Sequence, residues 1–145
     1  DAVKVEFGTN DVDLWLADFD EDTDEFYQWT AVMPSDYDGG TVTAVFYWIA
    51  NSASTNSAVW GFQGRSYGDN EAVDAAWGAA ETVTDANNAQ NTLNISGATA
   101  AITLAGTPAA SEMVQFRAYR DADNGNDDLA ADARLIAVRV TFTRS

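Results

Sequence analysis

Carboxylates are the residues of this chain best placed to do chemistry. The densest run is Asp18-Phe-Asp-Glu-Asp-Thr-Asp-Glu25, where Asp20, Asp22 and Asp24 stand at i, i+2 and i+4. That spacing presents oxygens to a hard cation in a calcium loop. The rest of the EF-hand pattern is missing: Glu25 stands where glycine is needed, and the twelfth position is Ala31. A second run, Asp121-Ala-Asp-Asn-Gly-Asn-Asp-Asp128, sets Asp121, Asp123 and Asp127 around Gly125 and comes nearer to a generic calcium turn. Ca²⁺ held by Asp121, Asp123 and Asp127 is therefore one expectation. The competing one is a solvated turn whose aspartates cap backbone amides.

Other chemistries are excluded by what is absent. The chain has no histidine and no cysteine, so Ser-His-Asp and Cys-His triads, disulfides and Cys/His metal sites cannot be built. Glycoside hydrolysis needs only two acids about 5–9 Å apart. Here the acids fall in loops, and nothing singles one out as shifted. The expectation is a protein that is not an enzyme and carries no cofactor beyond the possible calcium. A balance of 23 acidic to 7 basic residues, net −16, argues against a nucleic-acid partner. No apolar run approaches the ~20 residues of a membrane span, so no membrane partner is expected either.

The five tryptophans, Trp15, Trp29, Trp48, Trp60 and Trp77, are many for 145 residues. Exposed, they would stack on sugar rings; buried, they would pack a core or an interface, the commoner use.

These residues must be positioned by strands. Short β-rich runs separated by Asn, Asp, Gly and Ser clusters dominate the chain. Arg134–Thr143 alternates Ile136, Val138, Val140 and Phe142 against Leu135, Ala137, Arg139 and Thr141. Met113–Tyr119 sets Val114, Phe116 and Ala118 against Gln115, Arg117 and Tyr119. Further strands are expected at Ala2–Phe7, Val12–Phe19, Glu25–Met33, Thr41–Ile49, Ser57–Ser66, Thr92–Ser96 and Ala100–Leu104. Ala72, Val73, Ala76 and Trp77 recur at helical spacing and predict one short helix near 71–79. The fold class is all-β: one domain over 1–145, an antiparallel β-sandwich, and specifically a jelly roll of about nine strands.

Thr41–Ile49 is apolar on both faces, with Val42, Ala44, Phe46 and Trp48 on one and Val45, Tyr47 and Ile49 on the other; Phe26–Trp29 behaves similarly. A sandwich strand has a polar outer face, so these faces need a cover. Tyr27, Trp29, Val45, Tyr47, Trp48 and Ile49 are accordingly candidates for an interface between copies, the alternative being cover by the chain's own loops. Charge is uneven as well. Residues 1–38 hold twelve acids and only Lys4, whereas 117–145 balance five aspartates with five arginines. Arg117 and Arg139, on the non-core faces of their strands, can pair with the acidic N-terminal half of this chain or of a neighbour, or dock on an acidic partner.

Several segments resemble a family of small tailed-bacteriophage virion structural proteins. They are Met33-Pro-Ser-Asp-Tyr-Asp-Gly-Gly-Thr-Val-Thr-Ala-Val-Phe-Tyr-Trp48, Val59-Trp-Gly-Phe-Gln-Gly-Arg-Ser66, Ala76-Trp-Gly78 with Glu81-Thr-Val-Thr-Asp85, Ile102-Thr-Leu-Ala-Gly-Thr-Pro108 and Asp132-Ala-Arg-Leu-Ile136. The resemblance runs from about Lys4 to Thr143; the Asp18–Glu25 run is more acidic than the family pattern. It implies a virion component, a homotrimer on the particle surface, preceded by a short leader ahead of Val3. Such a protein would be a capsid decoration or head-fibre protein bound to the major capsid protein. The alternatives are a receptor-binding tail-fibre tip and a carbohydrate-binding module.

Overall fold

The computed structural model describes residues 2–145. Nine strands follow one another: β1 Ala2–Phe7, β2 Val12–Phe19, β3 Glu25–Val32, β4 Tyr37–Ala50, β5 Ser57–Tyr67, β6 Glu81–Ala86, β7 Asn94–Ile95, β8 Met113–Arg120 and β9 Ala133–Arg144. They form two antiparallel sheets, A in the order β1-β2-β9-β4-β7 and B in the order β3-β8-β5-β6.

The order has a simple origin. β2 pairs with β9, β3 with β8, β4 with β7 and β5 with β6. This is one long antiparallel ribbon with its tip at the β5–β6 connection. Folding the ribbon over brings β9 beside β4 and β8 beside β5, which completes both sheets. From β2 onward every connection except β5–β6 crosses between sheets. That is the double Greek key of a jelly roll, as the strand spacing predicted. β1 is an addition, paired to β2 alone.

The core forms where inward-facing residues of both sheets meet. Val42, Ala44, Phe46, Trp48 and Ala50 of β4 oppose Ala58, Trp60 and Phe62 of β5 and Val114, Phe116 and Ala118 of β8. Trp60 lies at the centre, with ring centroids 5.3 Å from Phe19, 5.6 Å from Phe46 and 5.7 Å from Trp48, so the aromatic surplus is spent largely inside. At one end a buried amide network ties loops together: Asn87 Nδ2 donates to the carbonyls of Ser52 and Ser54, and Asn94 Nδ2 to Asn87 Oδ1.

Four sequence expectations need correction. The helix near 71–79 does not form. Asn70 takes φ +68°, and the carbonyls of Val73, Ala76 and Gly78 accept hydrogen bonds from Tyr67, Arg65 and Gln63 of β5 instead of from amides a turn later. The segment is a strap over the outer face of sheet B. Ala100–Leu104 is not a strand; only Ile102 bridges, to Val42. β6 was missed, because Glu81–Ala86 has one valine and no apolar alternation to announce it. Finally, the alternation of β9 is inverted near its start. A bulge opposite Tyr47 and Trp48 puts Ala133 and Leu135 in the core and turns Ile136 outward, while Val138, Val140 and Phe142 face inward as expected.

Candidate functional site

Sheet A divides around β9. β2 pairs with β9 only through Ala17–Phe19 against Ala133–Leu135, and beyond Ala17 it departs with β1 as a hairpin. One face of this hairpin is apolar, with Val3, Val5 and Phe7 beside Leu16, Leu14 and Val12. The other carries Lys4, whose ammonium pairs with Glu6 and lies 3.0 Å from Asp13. Both pairings raise the Lys4 pKa.

The divergence opens two clefts. Between the sheets, about 300 Å³ is lined by Trp15, Ala17, Tyr27, Trp29, Leu135 and Val138. On the outer face of sheet A, about 460 Å³ lies between Phe7, Val12 and Leu14 of the hairpin and Tyr47 and Ile49 of β4, with Leu93 at its margin. Ile136 and Ala137 of β9 line both. Apolar exposure gathers here: Trp15 is 68% exposed, Val12 48%, Leu93 51% and Ile95 54%. Clustered apolar surface of this kind occurs at protein contact surfaces and in ligand-binding grooves.

The interface candidates separate accordingly. Tyr27 and Trp29 line the inner cleft, and Tyr47 and Ile49 the outer one. Val45 and Ile49 face outward yet are buried, so part of this face is covered by the chain itself. Trp48 is a correction. It is fully buried in the core, its Nε1 donating to Asp85 Oδ2 at 2.7 Å, so it offers a partner nothing. The hairpin residues Phe7, Val12, Leu14 and Trp15 were not among the candidates. Their signal was the alternation within the first two strands, and what sequence cannot tell is that β2 would leave its neighbour.

The acidic runs come together, though not as expected. Asp24 joins Asp121 and Asp123, one carboxylate oxygen of each lying within 4.8 Å of the others. Asp24 Oδ1 accepts the Ala122 amide and Asp121 Oδ2 the Asn124 side chain, both at 2.8 Å. Asp20 caps the amides of Asp22 and Thr23. Asp127 belongs to a different structure: it is buried against Arg120 and accepts the Val59 amide at 2.9 Å. The set Asp121, Asp123 and Asp127 therefore does not converge on one ion. Backbone amides are capped by Asp20 and Asp24, whereas Asp121 accepts a side-chain amide.

On sheet B, the Arg117 guanidinium lies 4.3 Å from the Phe26 ring centroid and 4.7 Å from that of Trp77, clamping the strap to the sheet. Burial lowers the Arg117 pKa. Beside the clamp a hollow of about 300 Å³ is lined by Gln28, Gln115, Tyr67, Asp74 and Trp77. The two arginines expected to pair with N-terminal acids do not: Arg117 donates to Gln63 Oε1 and stacks on the two rings, and among the described residues Arg139 has no carboxylate within salt-bridge distance; Arg134–Asp18 and Arg144–Asp36 pair instead, each at 3.2 Å.

No family model, curated protein or solved structure matches the chain.

Proposed function

We propose that this protein is a non-catalytic surface subunit of a bacteriophage particle, a capsid decoration or head-fibre protein that binds the major capsid protein and copies of itself. The observation that carries the assembly half is the uncovered apolar surface of sheet A, where the hairpin and β4 face each other across the 460 Å³ cleft. The virion half rests on the sequence resemblance, with which a jelly roll agrees. An acidic exterior, net −16, keeps such a subunit from adhering to nucleic acid or to anionic surfaces. Two measurements test the reading. Mass at micromolar concentration should exceed the 15.6 kDa of one chain. Electron microscopy of intact particles should find copies at fixed sites on the capsid; a particle that lacks the protein altogether sinks the reading.

A second reading, sugar binding at a tail-fibre tip or in a carbohydrate-binding module, is favoured by the hollow on sheet B. There the Trp77 ring stands beside the amides of Gln28 and Gln115 and the carboxylate of Asp74, an apolar ring face with hydroxyl-binding groups. Glycan-array binding that disappears in Trp77→Ala would establish it, and a blank array at high protein concentration would remove it.

A further inference from the structure

β9 has an unused edge. From Ile136 to Arg144 its ladder runs along β4 alone, because β2, which holds the other side at Ala133–Leu135, has left with β1. Among the described residues no backbone hydrogen bond reaches that side of β9 beyond Leu135. The two clefts lie on opposite faces of this edge and share Ile136 and Ala137. Val138, Val140 and Phe142 face the core but remain only partly buried, as they would where a neighbouring strand is missing.

We propose that the open edge of β9 is a strand-acceptor site, which takes an extended acidic segment of a partner protein by β-sheet augmentation. A row of free main-chain donors and acceptors is met in full only by another strand. Successive side chains of an added strand point to opposite faces. One would therefore enter the aromatic inner cleft beside Trp15 and Trp29, and its neighbours the outer cleft beside Leu14 and Tyr47. The matching segment is a short continuous apolar run. Charge sets its flanks. β9 carries Arg134, Arg139 and Arg144 with no acid, and among the described residues Arg139 has no carboxylate within salt-bridge distance. Arg134 and Arg144 are already paired with Asp18 and Asp36, so in a chain of net −16 it is Arg139, midway along the edge, that selects an acidic partner and disfavours pairing with the same edge of a second copy.

The chain itself contains a segment of this character. Asp11-Val-Asp-Leu-Trp-Leu16 has a three-residue apolar run behind two aspartates, and it is the stretch of β2 that would lie along β9 had β2 not diverged. A peptide of this sequence is the natural probe.

The inference rests on the assembly reading for its partner class, but its test needs no particle. A fluorescein-labelled peptide of residues 11–16 is titrated with the native protein, and backbone hydrogen exchange is followed with and without peptide. Saturable binding should slow exchange at 136–143. The same peptide with lysine at both aspartate positions should bind about tenfold more weakly. Arg139→Glu, at an exposed residue, should reverse that preference. No saturable binding below roughly 1 mM, binding without protection of β9, or equal affinity for both peptides overturns the proposal. Self-association that protects the same amides assigns the edge to a second copy and also overturns it. Peptide binding by a protein absent from particles would remove only the virion reading.

Discussion

Arg120 Nη2 lies 2.8 Å from Asp127 Oδ1, with the two side chains 0% and 2% exposed. The contact is bidentate, since Arg120 Nε also donates to Asp127 Oδ2 at 3.0 Å. The remaining donors reach the carbonyls of Asp20, Leu129 and Ala131. One guanidinium thus ties the end of β2, the 121–132 loop and β8 together. A buried pair of this kind is costly to form, but more costly to leave half made. Asp127→Ala should cost about 3–5 kcal/mol by denaturant titration, because it strands a buried cation and frees the Val59 amide. Arg120→Met with Asp127→Ala should cost clearly less than the two single changes summed. Additive losses would show that the pair is not coupled.

Gly61 sits beneath the Tyr119 ring. A Cβ there would come 2.2 Å from Tyr119 Cζ, well inside contact. Tyr119 is in turn held by Phe26, centroid to centroid 5.2 Å, so it cannot swing away freely. Gly61→Ala should therefore cost about 1–3 kcal/mol, and much of that should return in a Tyr119→Ala background. Equal costs in both backgrounds would mean that backbone conformation, not the ring, excludes the methyl group.

Asp132 supplies a pH test. Partial burial first, then the charges of Asp18 and Asp20, raise its pKa above the ordinary 3.8. The folded protein then keeps this proton to a higher pH than the unfolded chain, so the group subtracts stability at neutral pH. The loss is relieved as pH falls through the folded value. Asp132→Asn should stabilise at pH 7 by no more than about 0.5 kcal/mol, since water screens an exposed site. The gain should vanish below the ordinary 3.8, where the folded and unfolded chains both hold the proton. A gain that persists at lower pH would point away from ionisation.

How far the sequence carried these conclusions depends on what each residue answers to. β4, β5 and β8 were legible because their inward residues alternate without interruption, from Val42 to Trp48 and from Val114 to Ala118, and burial alone fixes that register. The strap was misread because Ala72, Val73, Ala76 and Trp77 have helical spacing, while Gln63, Arg65 and Tyr67, distant in sequence only by a turn, take the carbonyls a helix would use. Asp127 looked like its neighbours Asp121 and Asp123. What distinguishes it is Arg120 on the inward face of β8, a position where alternation calls for an apolar residue. The clefts follow from where two strands part, and strand patterns carry no record of that.

Trp48 and Trp15, both on sheet A, should behave in opposite ways. Trp48 is completely buried, stacks edge-on to Trp60 and donates to Asp85. Trp48→Ala removes a large core side chain and leaves that carboxylate without its donor, so it should cost about 3–5 kcal/mol whether or not the protein assembles. Trp15 is 68% exposed at the mouth of the inner cleft, and Trp15→Ala should change chemical stability by less than about 0.5 kcal/mol. If this cleft takes part in assembly, the same change should weaken self-association or partner binding by about tenfold or more, as loss of an aromatic anchor does at an interface. Sedimentation and denaturation on the same samples separate the effects. A Trp15→Ala protein that assembles like the native one would remove the inner cleft from the contact surface and leave the outer cleft to carry it.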